Sequence, residues 1–287
     1  MREIASQYAA DLDLFNSRMR GKGFADIDRY YWYHTVELGS GLPPTPGMYD
    51  FRETLGAFGL PGDLGGKSVL DVGSATGFFA FEFERRGAEV VSVELPSLEQ
   101  LDRFPGQETS SLLRQIEHMI VPHSDDILTG LKHRYSAQQL HYYLLEGPFR
   151  LCARLLGSKV ERRYCSVYEL SPARLGRASF DVVFLGDILV HTLNPFNALV
   201  AAAAMCRETL YIAQMMPGEP DDKPAMIWEG GTDPGRDDIC WWLPNEQCFI
   251  QMLRKLGFRD VRKVGTHEGL LRPGGHPFVR RVIRADR

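Results

Sequence analysis

No stretch of the sequence approaches the roughly 18 consecutive apolar residues that a membrane-spanning helix needs, so no membrane partner is expected. Close cysteine pairs are missing too. Cys152, Cys165, Cys206, Cys240 and Cys248 are odd in number and form no CxxC, which argues against both a disulfide framework and a zinc knuckle; no metal is expected. An excess of positive charge is also lacking. At a net charge of -4 nothing global draws the chain to nucleic acid, and only a local patch among Arg150, Arg154, Arg162 and Arg163 is a candidate. Internal repeats and low-complexity segments are absent. The start, Met1-Arg2-Glu3-Ile4, has neither the basic nor the apolar region of a signal peptide, and a cytoplasmic location is the expectation.

What is present is a composition suited to a full core: 287 residues, 44% hydrophobic and 24% charged. From Lys67 the chain reads strand (to Val72), glycine loop (Gly73 to Gly77), helix (Phe78 to Arg86) and strand (Glu89 to Glu94), a βαβ unit. Phe180 to Leu185 and Leu210 to Met215 are short unbroken apolar runs, as buried parallel strands are, and Lys159 to Cys165 is a further candidate. Helices are predicted at Glu146 to Leu156 and Asn197 to Glu208. A last helix, Asn245 to Leu256, precedes two strand-like segments, Phe258 to Val264 and Pro277 to Arg284, joined by a Gly/Pro turn. The expectation is one α/β domain over residues 61–287. Two additions stand as lids: residues 1–60 at the N-terminus and an insertion of about Pro96 to Tyr143.

Gly73 and Gly77 allow the backbone to turn sharply and approach a ligand, while Ser74, Ala75 and Thr76 keep the loop small. The helix that follows offers unpaired N–H groups to a carboxylate. A dinucleotide fingerprint would require glycine at position 75; Ala75 removes the designed contact for a pyrophosphate. Glu94 ends the next strand at the spacing where a carboxylate accepts ribose hydroxyls. An adenosine ligand without phosphates, S-adenosylmethionine, satisfies both observations. Asp71 either orients the loop or meets the ligand's ammonium. The other reading is a plain strand-to-helix turn, which leaves Glu94 without a role. In an open α/β sheet the ligand lies beyond the carboxyl ends of the strands, so Ser166 and Val167 would edge the adenine and Gly186, Asp187 and Ile188 would pass near the sulfonium.

These residues resemble a family. The segments Trp32 to Leu38 with Thr45-Pro46-Gly47, VLDVGSATGFFAFEFERRGA from Val69, and GDILVHTLNP from Gly186 to Pro195 are similar to class I methyltransferases, in the branch that includes the wobble-uridine tRNA carboxymethyltransferase and its small-molecule relatives. The resemblance implies a Rossmann-like seven-stranded sheet, S-adenosylmethionine at the positions above, and an acceptor over Asp187 and His191. The tRNA enzyme has a lysine in its pre-strand segment and a tyrosine before the histidine of its fourth-strand motif, both serving a carboxylated donor. Here His34 or Thr35 and Val190 stand there, which favours the unmodified donor.

Methyl transfer needs alignment and exclusion of water, with a base only where the acceptor must lose a proton. His191, Asp187 and His34 are the catalytic candidates; a turn-packing histidine and a helix-capping aspartate are the bland alternatives. Tyr31, Tyr33, His34, Tyr142, Trp228, Trp241 and Trp242 are candidates for the acceptor wall, and the two aromatic groups meeting over the methyl would make a cage for a cation. Packing of a lid is the alternative. His118 and His123, near Asp125 and Asp126, are poorly spaced for a metal, as are His133 and His141. The expectation is transfer of a methyl group to an O, N or S atom of a small metabolite, with tRNA modification and binding without turnover as alternatives. The oligomeric state stays open, a homodimer included.

Overall fold

The computed structural model describes residues 2–39, 41–108, 110–111, 136–217, 223–233 and 239–287. An N-terminal helix, α1 (Arg2–Gly21), precedes β1 (Ser68–Val72), α2 (Phe78–Arg85) and β2 (Glu89–Glu94). After the insertion come α3 (Ala137–His141), a π-helical turn (Tyr142–Glu146) and α4 (Gly147–Leu156). Next are β3 (Glu161–Tyr164), α5 (Pro172–Leu175), β4 (Phe180–Gly186), α6 (Pro195–Ala204) and β5 (Cys206–Gln214). A short ribbon, β6 (Met226–Trp228) and β7 (Trp242–Pro244), is followed by α7 (Glu246–Lys255), β8 (Asp260–Leu271) and β9 (His276–Asp286).

Seven strands form one sheet in the order β3-β2-β1-β4-β5-β9-β8, as the resemblance implies. The pairs among β1 to β5 are parallel, and β9 runs antiparallel to both β5 and β8. The central strands are apolar through most of their length because both faces are covered. Leu70, Val72, Val183, Leu185, Leu210 and Ile212 face one core with α6 and α7. Val69, Val90, Val182, Phe184 and Tyr211 face a second core with α1, α2, α4 and the N-terminal segment. The alternation follows the two-residue period of a strand and puts Asp71 on the second face.

Three boundaries differ from expectation. The alanine-rich helix stops at Ala204, because Cys206 already pairs with Phe180 as the start of β5. The C-terminal strands run longer than their apolar pattern, since hairpin pairing carries them through polar residues to Leu271 and His276. The β6–β7 ribbon had no counterpart in the sequence reading. Half of the insertion, 112–135, lies outside the described residues, and with it His118, His123, Asp125, Asp126 and His133. Among the described residues no helix is long and apolar enough to cross a membrane.

The chain reverses its direction of travel across the sheet between β1 and β4, the switch point at which open α/β sheets bind ligands. The loops leaving those two strands, Gly73 to Gly77 and Asp187 to His191, therefore face a common space.

Candidate active site

The glycine loop is tied down from below. Gly73 donates its N–H to the Val93 carbonyl at 2.9 Å, and Gly77 donates to that of Ser74 at 2.8 Å. Gly73 and Gly77 have φ of +73° and +93°, and a Cβ on Gly77 would lie 2.6 Å from both Phe81 and Phe149, so glycine is required there twice over. Beneath the loop lies Arg162 of β3. Its Nη1 donates to Ser74 Oγ at 2.7 Å, its Nη2 to the Ala75 carbonyl at 3.0 Å and its Nε to Glu146 at 3.1 Å, and its guanidinium stands 4.0 Å from the Phe149 ring centre.

That placement corrects the proposed basic patch. Arg162 is buried under the loop, Arg150 pairs with Glu146, Arg163 with Glu161, and Arg154 lies over the Phe24 ring. Arg162 is thus withdrawn from the surface, while Arg150 and Arg163 remain exposed with a carboxylate beside each.

Around the switch point three adjoining cavities open. The first is lined by Glu94, Ser166 and Val167, the residues expected beside ribose and adenine, together with Gly73 and Asp102. Glu94 is 8% exposed; one carboxylate oxygen accepts the Ala75 N–H at 3.0 Å and the other the Leu95 N–H at 2.9 Å. Each oxygen retains a second lone pair. The second cavity, of about 190 Å³, is lined by Asp71, Ser74, Gly186 and Asp187 with His34 and Tyr33 of the N-terminal segment. Asp71 is 1% exposed and its Oδ2 has no hydrogen-bond partner. Burial raises its pKa to about 7 against the lowering pull of Arg162, with Glu94 adding to the rise.

Two non-glycine residues have positive φ among those described, Ala75 at +47° and Asp187 at +49°, and both line this second cavity. Strained backbone gathers where surrounding structure holds a functional group in place. Asp187 is held by the Ala213 carbonyl, which accepts its N–H at 2.8 Å. Its Oδ2 accepts from Arg280 Nε at 2.5 Å, and its Oδ1 accepts from the Met215 N–H.

The third cavity, of about 380 Å³, shares Tyr33, Tyr49, Leu101, Asp187, His191 and Arg280 with the second. Its remaining wall is largely apolar, with Tyr31 and Met48 from the N-terminal segment and Leu98 and Leu144 from the two ends of the insertion. The N-terminal segment is held against the glycine loop by His34, whose backbone N–H donates to Thr76 Oγ1 at 3.1 Å.

His191 and Leu101 line all three cavities, and His191 is the titratable one. Its Nδ1 lies 2.6 Å from the Ile239 carbonyl oxygen, an acceptor, so Nδ1 carries the hydrogen and Nε2 is left for the cavity. Burial lowers its pKa, but Cys240, the Ile239 carbonyl and Asp187 more than offset this and raise it to about 9. His34 is different: burial pushes its pKa down to about 3, and the ring packs among Tyr33, Phe51 and Phe78. A ring held neutral so far below physiological pH is a poor proton acceptor, so its place is in positioning the loop.

The tryptophans are not where the aromatic-cage reading put them. None of Trp228, Trp241 and Trp242 lines the second or third cavity; they pack on one another, with Phe104 against Trp228 and Trp241. Trp241 is fully buried, its backbone N–H donates to the Val190 carbonyl at 2.8 Å and its Nε1 to that of Asp102 at 3.2 Å. The ribbon therefore braces the His191 turn. Tyr142 points away from the cavities, half exposed and 3.4 Å from the Tyr30 hydroxyl.

Sequence reasoning missed Arg162, Asp102, Tyr49 and Arg280. Nothing among the four arginines near the C-terminus, Arg280, Arg281, Arg284 and Arg287, marks the first as the one that lines a cavity. Among the described residues no group of three or more His, Cys, Asp or Glu is placed to hold a metal ion.

No protein-family model matches the chain, and no curated protein matches it. Among solved structures it is similar to magnesium protoporphyrin IX methyltransferase (ChlM) from Synechocystis PCC 6803 with bound SAM, at 12% identity and a TM-score of 0.46, over 79% of this chain and 72% of that one. It is similar to 1,6-didemethyltoxoflavin-N1-methyltransferase from Burkholderia thailandensis, at 16% identity and a TM-score of 0.44, over 77% and 71%. It is also similar to the N-terminal domain of EvdMO1 in the presence of SAH and D-fucose, at 16% identity and a TM-score of 0.47, over 93% and 96%. Alignments this loose carry no argument by themselves.

Proposed function

We propose that the chain is an enzyme that transfers the methyl group of S-adenosylmethionine to a small molecule held in the third cavity. The observation that carries this is the unpartnered Asp71 Oδ2, buried at the switch point and flanked by a glycine loop whose next strand ends in Glu94. A buried acceptor atom without a donor costs stability unless a ligand supplies one. An ammonium group does so, and it also restores the ionised form of Asp71. Glu94 would accept the ribose hydroxyls, Ser166 and Val167 would border the adenine, and Ser74 and Gly186 would border the methionine portion. Bound there, the donor supplies an electrophilic methyl group on a sulfonium. Nothing around the loop favours a pyrophosphate: Ala75 takes the place of the glycine such a ligand needs, and Asp71 and Glu94 would repel it.

The chain's own residues then align and enclose. The N-terminal segment 1–60 and the ends of the insertion form the lid, since Tyr31, Tyr33, Met48, Leu98 and Leu144 wall the acceptor space. His191 Nε2 stands at the junction to hold or take a proton, and Asp187 with Arg280 fixes the acceptor end of the donor cavity. Less supports an RNA acceptor, because the candidate basic patch loses Arg162 to the loop and its exposed members Arg150 and Arg163 each stand beside a carboxylate.

Incubation with radiolabelled S-adenosylmethionine, divided between a cell metabolite extract and total tRNA, tests the reading. Label is expected in the low-molecular-mass fraction. Label in nuclease-sensitive RNA would overturn the choice of acceptor, and calorimetric binding of the donor without any labelled product would reduce the chain to a binding protein.

A further inference from the structure

We infer that the acceptor is a largely apolar small molecule that enters as an oxyanion, recognised by Arg280, and is methylated on that oxygen. This rests on the proposed function and names the acceptor class it leaves open.

The charged and imidazole groups on the wall of the third cavity are Asp187, Arg280 and His191. Asp187 is already satisfied: one oxygen accepts from Arg280 Nε and the other from the Met215 N–H. Arg280 is not. Its Nε is committed to Asp187 and its Nη1 donates to the Val279 carbonyl at 3.2 Å, which leaves donors of the five-donor guanidinium fork for a ligand. The guanidinium is also placed for the task, because Arg280 lines the second and third cavities together, at the border between donor and acceptor. The remaining wall is apolar and would hold a frame of low polarity.

The charge balance of the reaction separates oxygen from nitrogen acceptors. A carboxylate or phenolate forms an O–C bond as the C–S bond breaks and its electron pair goes to sulfur; both products, a methyl ester or ether and the thioether, are neutral and leave an apolar cavity freely. A phenol loses its proton to solvent, or to His191 Nε2 where that ring is neutral, and the Arg280 guanidinium beside it favours the phenolate. A neutral amine would instead become an ammonium beside Arg280 within apolar walls, which is unfavourable. With His191 protonated, two cations face one carboxylate, and a single negative charge on the acceptor completes the balance.

Three probes with one apolar frame test this: 2-naphthoate, 2-naphthol and 2-naphthylmethylamine, titrated calorimetrically into the full chain saturated with S-adenosylhomocysteine. Saturation is itself a control, because failure to bind S-adenosylhomocysteine would sink the proposed function and not the choice of acceptor. The two acids are expected to bind at least about tenfold more tightly than the amine. Equal or reversed affinities, or no binding by either acid, would overturn the inference. Arg280→Gln is expected to remove the preference and Arg280→Lys to restore part of it, each variant being titrated at S-adenosylhomocysteine concentrations that saturate it at its own measured affinity. A preference that survives Arg280→Gln in a folded variant would also overturn it.

Discussion

The proposed donor side of the site and the proposed acceptor side are built in opposite ways. The donor side is dense with polar contacts centred on one short loop: 73–77 lies over Arg162, with Glu94 against the loop's own amides. The acceptor side is a mostly apolar cavity whose walls come from distant segments, with one ion pair at its mouth. Hydrogen bonds fix atoms at set distances and suit a ligand that is always the same. Apolar walls fix volume, and volume can change between related chains without disturbing the sheet.

The comparison breaks if the donor side tolerates loss of its supports. Arg162→Met should have the largest effect. It removes the donors to Ser74 and Ala75 and one partner of buried Glu146, and it should destabilise the fold by about 3 kcal/mol or more in chemical denaturation. Little change would mean that the loop stands unaided.

Asp71→Asn should act with the opposite sign on the unliganded protein. An acid whose folded pKa is raised from its ordinary value near 4 to about 7 binds a proton in the folded state that the unfolded chain has lost, so stability falls as pH rises through that window. Asparagine has no such titration. The variant should therefore be more stable than the parent in chemical denaturation at pH 8, by up to about 4 kcal/mol, converge with it near pH 4, and bind the donor more weakly. A variant less stable at pH 8 would show Asp71 to be satisfied in solution.

Glu94→Ala is expected to cost at least about 1 kcal/mol of calorimetric donor affinity, through loss of charge-assisted hydrogen bonds. An unchanged affinity would move the ribose elsewhere. At the small end, Tyr142→Phe should stay within about 0.5 kcal/mol in melting and leave turnover unaltered, since its hydroxyl meets only Tyr30 at the surface. A large effect would return Tyr142 to the acceptor wall.

Much of the donor side was legible before any coordinates because its information is local. Strand, glycine turn and helix are set by neighbours, and Glu94 follows at a spacing that parallel pairing of β1 with β2 imposes. Arg162 was misread because β3 is an edge strand whose other residues are largely exposed, and one inward-facing arginine among them looks like surface charge. The tryptophans were misread for a different reason. Their size demands burial, but burial does not say against what, and the ribbon that buries Trp241 pairs segments separated by a loop.

By itself the sequence determined the alternation of strand and helix, the glycine positions and the acid that ends β2, because backbone sterics and the strand period act over a few residues. Only the tertiary structure decided that Asp71 is an orphaned carboxyl, that His191 alone among titratable groups touches all three cavities, and that Arg280 lines the acceptor space beside Asp187. Those outcomes depend on which distant segments exclude water from the same volume, and that closure has no local signature.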